Sequence, residues 1–313
     1  MQKKLTQLLM GNRFEITVEA KTDAEADFFL KKAVEEISRI EALLSTYQST
    51  SETNLINENA GIKPVKVSDE TFSIIARSKK ISEITQGAFD ITYGSIDKRF
   101  WNFDTEMTSL PDEDLAQKSI ALIDYRNIEL NAEHKTVFLK NKGMRIGFGG
   151  IGKGYAAEKA KNLLKSLGVK AGIINASGDL SCWGVPENGK SWTIGIAHPD
   201  FSGMPFSTLE VTDLAIATSG NYEKFVMIDG KKYSHTISPK SGYPVEHNLA
   251  SVTVFDDNCM DADALATAAM SMGETKALKF AADNNLALVM FVREEDGSLK
   301  TLVSDKARKI LGE

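Results

Sequence analysis

Asp263 and Thr267 stand four residues apart in an alanine-rich run, so on a helix their carboxylate and hydroxyl share one face. Oxygen donors of this kind suit Mg²⁺, which takes few protein ligands and completes its shell with water and substrate phosphates. A second candidate is the stretch Met144-Arg-Ile-Gly-Phe-Gly-Gly-Ile-Gly-Lys-Gly154, a glycine-rich turn between an apolar extended run and a helix. Outward-facing N–H groups in such a turn, with the positive helix end behind them, suit a phosphate or pyrophosphate. A third is His235, a histidine at the end of a strand, a residue type whose reference pKa near ~6.5 suits proton transfer. Together these make a phosphoryl-transfer kit. Two of these also have a plainer reading: Asp263 caps its own helix while Thr267 packs, and His235 is structural, as His134, His198 and His247 are.

The glycine turn fits two other patterns less well. Gly147-Phe-Gly149-Gly-Ile-Gly152 matches a dinucleotide fingerprint, but the acid expected about 20 residues later is replaced by Ile173, Ile174 and Asn175. Gly147 to Lys153 also begins a P-loop, yet Gly154 stands where a hydroxyl must reach Mg²⁺.

The elements that position these residues follow from periodicity. Phe14, Ile16 and Val18 alternate with polar residues over Arg13–Ala20, which predicts a strand. Thr22-Asp-Ala-Glu25 is a capping box opening a helix with Phe29, Ala33, Ile37, Ile40 and Leu44 inward. The polar stretch Ser45 to Asn57 reads as a surface loop. Ser68 caps a helix with Phe72, Ile75, Ile81 and Ile84 inward, ending at Gly87, after which Asp90 reads as a turn or cap residue. Asp97 to Glu113 reads as irregular. A run over 137–146, the helix 155–168 closed by Gly168, and a buried strand 170–176 predict a β-α-β unit around the glycine turn.

Short strands follow near Trp192–Ala197 and Thr208–Val211, then a hairpin over Phe225–His235 with Asp229-Gly230 at its turn. Ala250–Phe255 is a strand. Helices run from about Asp261 to Met272 and from Glu274 to Asp283. Leu286–Val292 and Leu299–Val303 close the chain as a hairpin. Hairpins outnumber β-α-β units, which favours an α+β fold with mixed or antiparallel sheets and packed helices.

The 313 residues carry a net charge of −6 with no long basic patch, which argues against a nucleic-acid surface. No apolar run is long enough to span a bilayer. The two cysteines, Cys182 and Cys259, form neither a disulfide framework nor a metal motif and read as ordinary buried thiols. Residues 1–10 have too short an apolar segment for a signal peptide.

Seven motifs recur in order in one family: Met10-Gly11; Ser45-Thr-Tyr47 with Ser51 and Asn57; Gly87-Ala-Phe-Asp90; Gly149-Gly-Ile-Gly-Lys-Gly-Tyr155; Ser219-Gly-Asn-Tyr222; His235-Thr-Ile-Ser-Pro-Lys-Ser-Gly242-Tyr-Pro244; and Asp263-Ala-Leu-Ala-Thr267. The chain resembles the ApbE-like flavin transferases, the FAD:protein FMN transferases, over residues 8–305. The resemblance implies a single domain of two interwoven α/β subdomains with the FAD site in a cleft between them, preceded by a tail over 1–7. It implies cleavage of FAD with Mg²⁺, attachment of FMN through a phosphoester to a Thr or Ser hydroxyl of an acceptor protein such as a subunit of a membrane redox pump, and release of AMP. Some members hydrolyse FAD to FMN and AMP instead; a non-catalytic flavin-binding protein is a further reading.

Carried over residue by residue, Met10, Tyr47, Ala88, Phe89 and Asp90 would contact the flavin, with Tyr47 offering an aromatic face. Lys153, Ser219, Gly220, Tyr222 and Ile237 would line the FAD site. Asp263, Thr267 and the Gly150 carbonyl would ligate Mg²⁺, and His235 takes the catalytic position. Gly147 departs from the family, which commonly has Asp there. Ser238, Lys240 and Ser241 stand where Asp, Arg and Thr are frequent. The family's usual location is the periplasm or cell envelope, as lipoproteins. That implies a membrane link only through a removed N-terminal anchor, and a cytoplasmic location if the N-terminus is native.

Overall fold

The computed structural model describes residues 1–96, 109–198, 205–220, 225–228, 231–234, 237–238, 242–245 and 247–312. The chain opens with a hairpin, β1 (Gln2–Leu9) and β2 (Asn12–Glu19), then three helices, α1 (Asp23–Leu44), α2 (Glu52–Glu58) and α3 (Asp69–Ile84), with a short strand β3 (Val65–Lys66) before the third. Next come α4 (Glu113–Ile120), β4 (Ile128–Asn131), β5 (Thr136–Leu139), α5 (Gly152–Ser166), β6 (Gly172–Ala176) and β7 (Asp179–Trp183). The remainder comprises β8 (Trp192–Ala197), β9 (Pro205–Val211), β10 (Leu214–Gly220), β11 (Phe225–Ile228), β12 (Lys231–Ser234), β13 (Leu249–Asp256), α6 (Cys259–Met272), α7 (Glu274–Asp283), β14 (Ala287–Arg293), β15 (Leu299–Val303) and α8 (Asp305–Leu311).

The organising layer is an eight-stranded sheet in the order β1-β2-β6-β7-β10-β13-β14-β15, with each neighbouring pair antiparallel. Residues 1–7, set apart as a tail by the sequence, lie mostly in its edge strand β1. Both faces are covered, so its inner strands are mostly apolar, with a few buried polar residues such as Ser181, Ser251 and Thr253. On β14, Leu288, Met290 and Val292 pack beneath α6 and α7, while Ala287, Val289 and Phe291 face the β8–β9 hairpin and α8.

Several sequence expectations hold. Thr22 caps α1 by accepting from the Glu25 N–H, and Glu25 reaches back to the Lys21 N–H. Ser68 caps α3. Beyond α5 the Gly168 and Val169 N–H groups bond to Lys165 and Leu164, with Gly168 at φ +94°, a conformation glycine adopts without steric cost. Strands β11 and β12 pair with Ile228 opposite Lys231, the register of a two-residue turn; Asp229 and Gly230 themselves lie outside the described residues. So does most of the stretch read as irregular, residues 97–108. Both cysteines are buried and unpaired. Among the described residues no helix is long and apolar enough to cross a membrane.

Others require correction. The β-α-β unit is absent: β5 pairs with β3 and β4 in a separate three-stranded sheet, and β6 runs antiparallel to both its neighbours. Met144–Ile146 joins no ladder, because side chains take up its main chain. Asn57 donates to the Ile146 carbonyl and accepts its N–H, and Ser95 does the same for Arg145.

The supposed loop 45–57 contains α2, capped by Ser51. Its polar residues Thr53, Asn54 and Asn57 are buried because each bonds to main chain. Ile84, expected inside, is the last residue of α3 and lies exposed, while Ile74 is buried. Helix α6 starts two residues earlier than read, on an Asn258 cap.

Helices α1, α3 and α5 are tied by a charge network. The Glu70 carboxylate accepts from Arg39 at 2.7 Å and from the Tyr155 hydroxyl at 2.8 Å, with Lys159 at 3.4 Å. Burial works against its charge, but these three donors outweigh it and hold the Glu70 carboxyl at about 2. A depressed carboxyl contributes stability above its unfolded pKa and loses that contribution as pH falls through the folded value. Glu70→Gln should therefore be less stable than wild type at pH 7 by about 1 kcal/mol for a network open to solvent. Urea unfolding at stepped pH should show the gap closing between about 4.5 and about 2.

Candidate functional site

The glycine turn is the point where the separated motifs meet. The Gly150 carbonyl lies 3.5 Å from the Thr267 hydroxyl, and a Cβ on Gly150 would sit 2.9 Å from that side chain. One turn further along α5, the Gly154 N–H donates to Asp263 Oδ2 at 3.0 Å. A side chain at 154 would collide with the Cys259 carbonyl and lie 2.7 Å from Cβ of Asp263, so only glycine lets α6 approach this closely. Asp263 thus caps a helix, but not its own. Helix α6 is capped by Asn258, whereas the N-cap position of α5 is held by Ile151, whose side chain makes no capping bond.

Lys153 donates to Asp179 in an ion pair and lies 4.0 Å from Asp263 Oδ1. Asp179 is 2% exposed and also accepts the Thr218 N–H at 3.3 Å, tying the start of β7 to the end of β10, where Ser219 and Gly220 follow. Burial pushes the Asp179 carboxyl up, with Lys153 and the Thr218 amide pulling against that shift. Asp179 is not legible as a site residue from sequence, because an acid after a hairpin turn ordinarily faces water.

Nearby, the buried pair Glu158–Lys161 spans 2.8 Å, and Glu158 also accepts the Cys259 N–H. Burial, with Asp179, Asp263 and Glu158 close by, pushes the Cys259 thiol well above its usual range.

Met10, the segment before Tyr47 and the segment after Asp90 reach the same turn. Met10 occupies the tight turn between β1 and β2, and its methyl lies 3.7 Å from where a Cβ on Gly152 would be. Thr46, next to Tyr47, approaches Gly147, and Tyr47 itself is 85% exposed at the surface beyond α1. Asp90 caps a single 3-10 turn, Ile91–Ser95: Oδ1 accepts from Thr92 and Oδ2 from the Tyr125 N–H. Burial raises its carboxyl against those hydrogen bonds. The adjoining Ile91 carbonyl accepts the Gly147 N–H at 2.9 Å, joining this segment to the glycine turn.

Ala88 is half-buried, and the Phe89 side chain points into the core, so a ligand can meet Phe89 only through its main chain. The Ile237 side chain is buried too, and its N–H donates to the Tyr93 hydroxyl, whose pKa burial pushes up to about 12. His235 and Tyr222 lie outside the described residues.

The turn is less bare than its composition suggests. The Ile151 and Gly152 amides bond to the Phe148 carbonyl and the Gly154 amide to Asp263. Around Gly149, in contrast, nothing lies within 4 Å of a Cβ position. The donors that converge beside it, a carboxylate, a hydroxyl and a carbonyl, are hard oxygens that fit Mg²⁺. Among the described residues no group of three or more His, Cys, Asp or Glu could hold a metal, so a metal here depends on that mixed set.

Gly154→Ala should cost about 1–3 kcal/mol by forcing α5 and α6 apart. Gly147→Asp should fold with stability within about 0.5 kcal/mol of wild type, as the nearest atoms to its Cβ position lie at ordinary contact distance, 3.7 Å and beyond. Thermal unfolding checks both.

Three comparisons bear on this arrangement. A family model described as the ApbE family matches residues 10–290. The FAD:protein FMN transferase of Vibrio cholerae (strain O395) is 32% identical over 259 residues, covering 81% of this chain and 76% of the relative. That of Escherichia coli K12 is 30% identical over 300 residues, 94% and 84% respectively. The fold superposes on the apo form of Pseudomonas stutzeri flavinyl transferase ApbE with a TM-score of 0.89 at 26% identity, covering 100% of this chain and 98% of that one. The Vibrio cholerae flavin transferase ApbE gives 0.88 at 26% identity, with 99% of each chain covered. The chain belongs to the ApbE family.

Proposed function

We propose that the protein is a Mg²⁺-dependent FAD:protein FMN transferase. It would cleave FAD and join FMN through a phosphoester to a Thr or Ser hydroxyl of an acceptor protein, releasing AMP. The observation that carries this reading is the convergence of the Gly150 carbonyl, the Asp263 carboxylate and the Thr267 hydroxyl on one side of a glycine turn, with Lys153 beside them. Those three oxygens would hold Mg²⁺. Bound there, the ion would neutralise pyrophosphate oxygens and the charge building on the departing AMP.

The chain's own residues do the rest. Asp179 fixes the Lys153 ammonium beside Asp263, where it adds positive charge next to the scissile linkage. Tyr47 and Met10 flank the place of the flavin ring from two elements that both reach the glycine turn. His235 takes the proton from the acceptor hydroxyl as its oxygen bonds to the FMN phosphorus and the bond to AMP breaks. The FAD site would lie in the cleft between the two subdomains. The protein would act in the cell envelope.

Asp263→Asn separates the metal role from the capping role, because an amide oxygen still accepts the Gly154 N–H. Its melting temperature should stay close to that of wild type. AMP release from FAD in the presence of Mg²⁺ and an acceptor domain should fall on the order of 10²-fold or more. Unchanged turnover removes Asp263 as a ligand. His235→Ala should lower kcat by about 10²–10⁴-fold with FAD affinity retained. In-gel flavin fluorescence on the acceptor registers transfer; AMP formed without an acceptor would register hydrolysis in its place.

A further inference from the structure

Met10 is an unusual residue for its position. The two-residue turn between β1 and β2 sets Leu9 opposite Asn12 and puts Met10 at φ +52° and Gly11 at φ +71°. Both values lie in the left-handed region, where glycine and asparagine are at ease and a long side chain is not. Two polar contacts hold it. The Met10 N–H donates to Glu41 Oε2 at 3.0 Å, and the Asn12 side-chain amide donates to the Met10 carbonyl at 2.7 Å. The first is a bond to an ionised acceptor, the stronger kind.

The consequence lies at the other end of the side chain. With its backbone in this conformation, Met10 sends its methyl to the start of α5, 3.7 Å from the Cβ position of Gly152. Glu41 sits one turn before the end of α1, and the chain leaving that helix passes through Thr46, which lies against Gly147. A single carboxylate therefore ties the β1–β2 turn to the helix that leads to Tyr47, and both arrive at the glycine turn.

We infer that Glu41 is a positioning residue: it locks Met10 in the left-handed turn so that the thioether forms a fixed wall of the flavin pocket. This rests on the flavin reading above. In an ordinary hairpin turn an asparagine would hold that conformation with its own side chain; here the task is moved to a neighbouring helix, which frees the side chain at 10 to meet a ligand.

The test uses the full chain labelled with ¹³C-methyl methionine, the Met10 resonance being assigned through Met10→Leu. Glu41→Ala should shift the Met10 methyl toward the position of free methionine. It should also raise the FAD Kd, measured by equilibrium dialysis, by about tenfold, the loss expected for one charge-assisted bond. AMP release at saturating FAD should change by less than ~twofold, since ground-state and transition-state binding fall together. Glu41→Gln keeps an acceptor oxygen and should restore both the methyl resonance and the affinity to within about threefold. An unmoved Met10 methyl in Glu41→Ala overturns the lock. A moved methyl with unchanged FAD affinity overturns its part in the pocket. Wild-type protein that binds no FAD contradicts the flavin reading itself, and the methyl resonance then judges the lock alone.

Discussion

One buried carboxylate holds the site together. Asp263, supplied by α6, accepts the Gly154 N–H at the start of α5, a helix with no capping side chain of its own. A hydrogen bond to a charged group contributes about 1.5–3 kcal/mol, a substantial share of the 5–15 kcal/mol by which a typical domain is stable. The same contact sets the spacing of the two helices. It requires glycine at 154, and it places Thr267, one turn along α6, against the carbonyl of Gly150. Packing of the helix layer and convergence of the oxygen donors are thus one interaction seen from two sides.

Charge balance around that contact follows. Asp179, Asp263 and Glu158 lie buried near one another, and among the described residues Lys153 and Lys161 are the cations paired with them. Buried acids are costly unless paired. Lys153 is central to that balance, pulled toward Asp179 while reaching Asp263, so the ammonium is held in place by acids that themselves need it.

The sequence made most of the local elements legible and few of the long-range contacts. Alternation in Phe14, Ile16 and Val18, the Thr22–Glu25 capping box and the Gly168 helix stop were readable because each is fixed within a few residues. The β-α-β unit was misread because period and glycine content cannot tell a ladder strand from a segment whose main chain is held by Asn57 and Ser95. Polar α2 was misread as a surface loop, since the buried partners of Thr53 and Asn57 are main-chain atoms from elsewhere. Asp263 and Thr267 stood out by spacing. Asp179 and Glu41 did not, because nothing in a sequence says that one acid will meet a lysine beside a distant helix, or that another will hold a strained turn.

The most direct measurement is the position of a divalent ion. Crystals soaked with FAD and Mn²⁺ in place of Mg²⁺, recorded at a wavelength where manganese scatters anomalously, should give a peak at about 2.1–2.3 Å from Asp263, Thr267 and the Gly150 carbonyl, with FAD phosphate oxygens completing the shell. A peak elsewhere on the protein, or FAD bound with its pyrophosphate away from the glycine turn, would contradict the account.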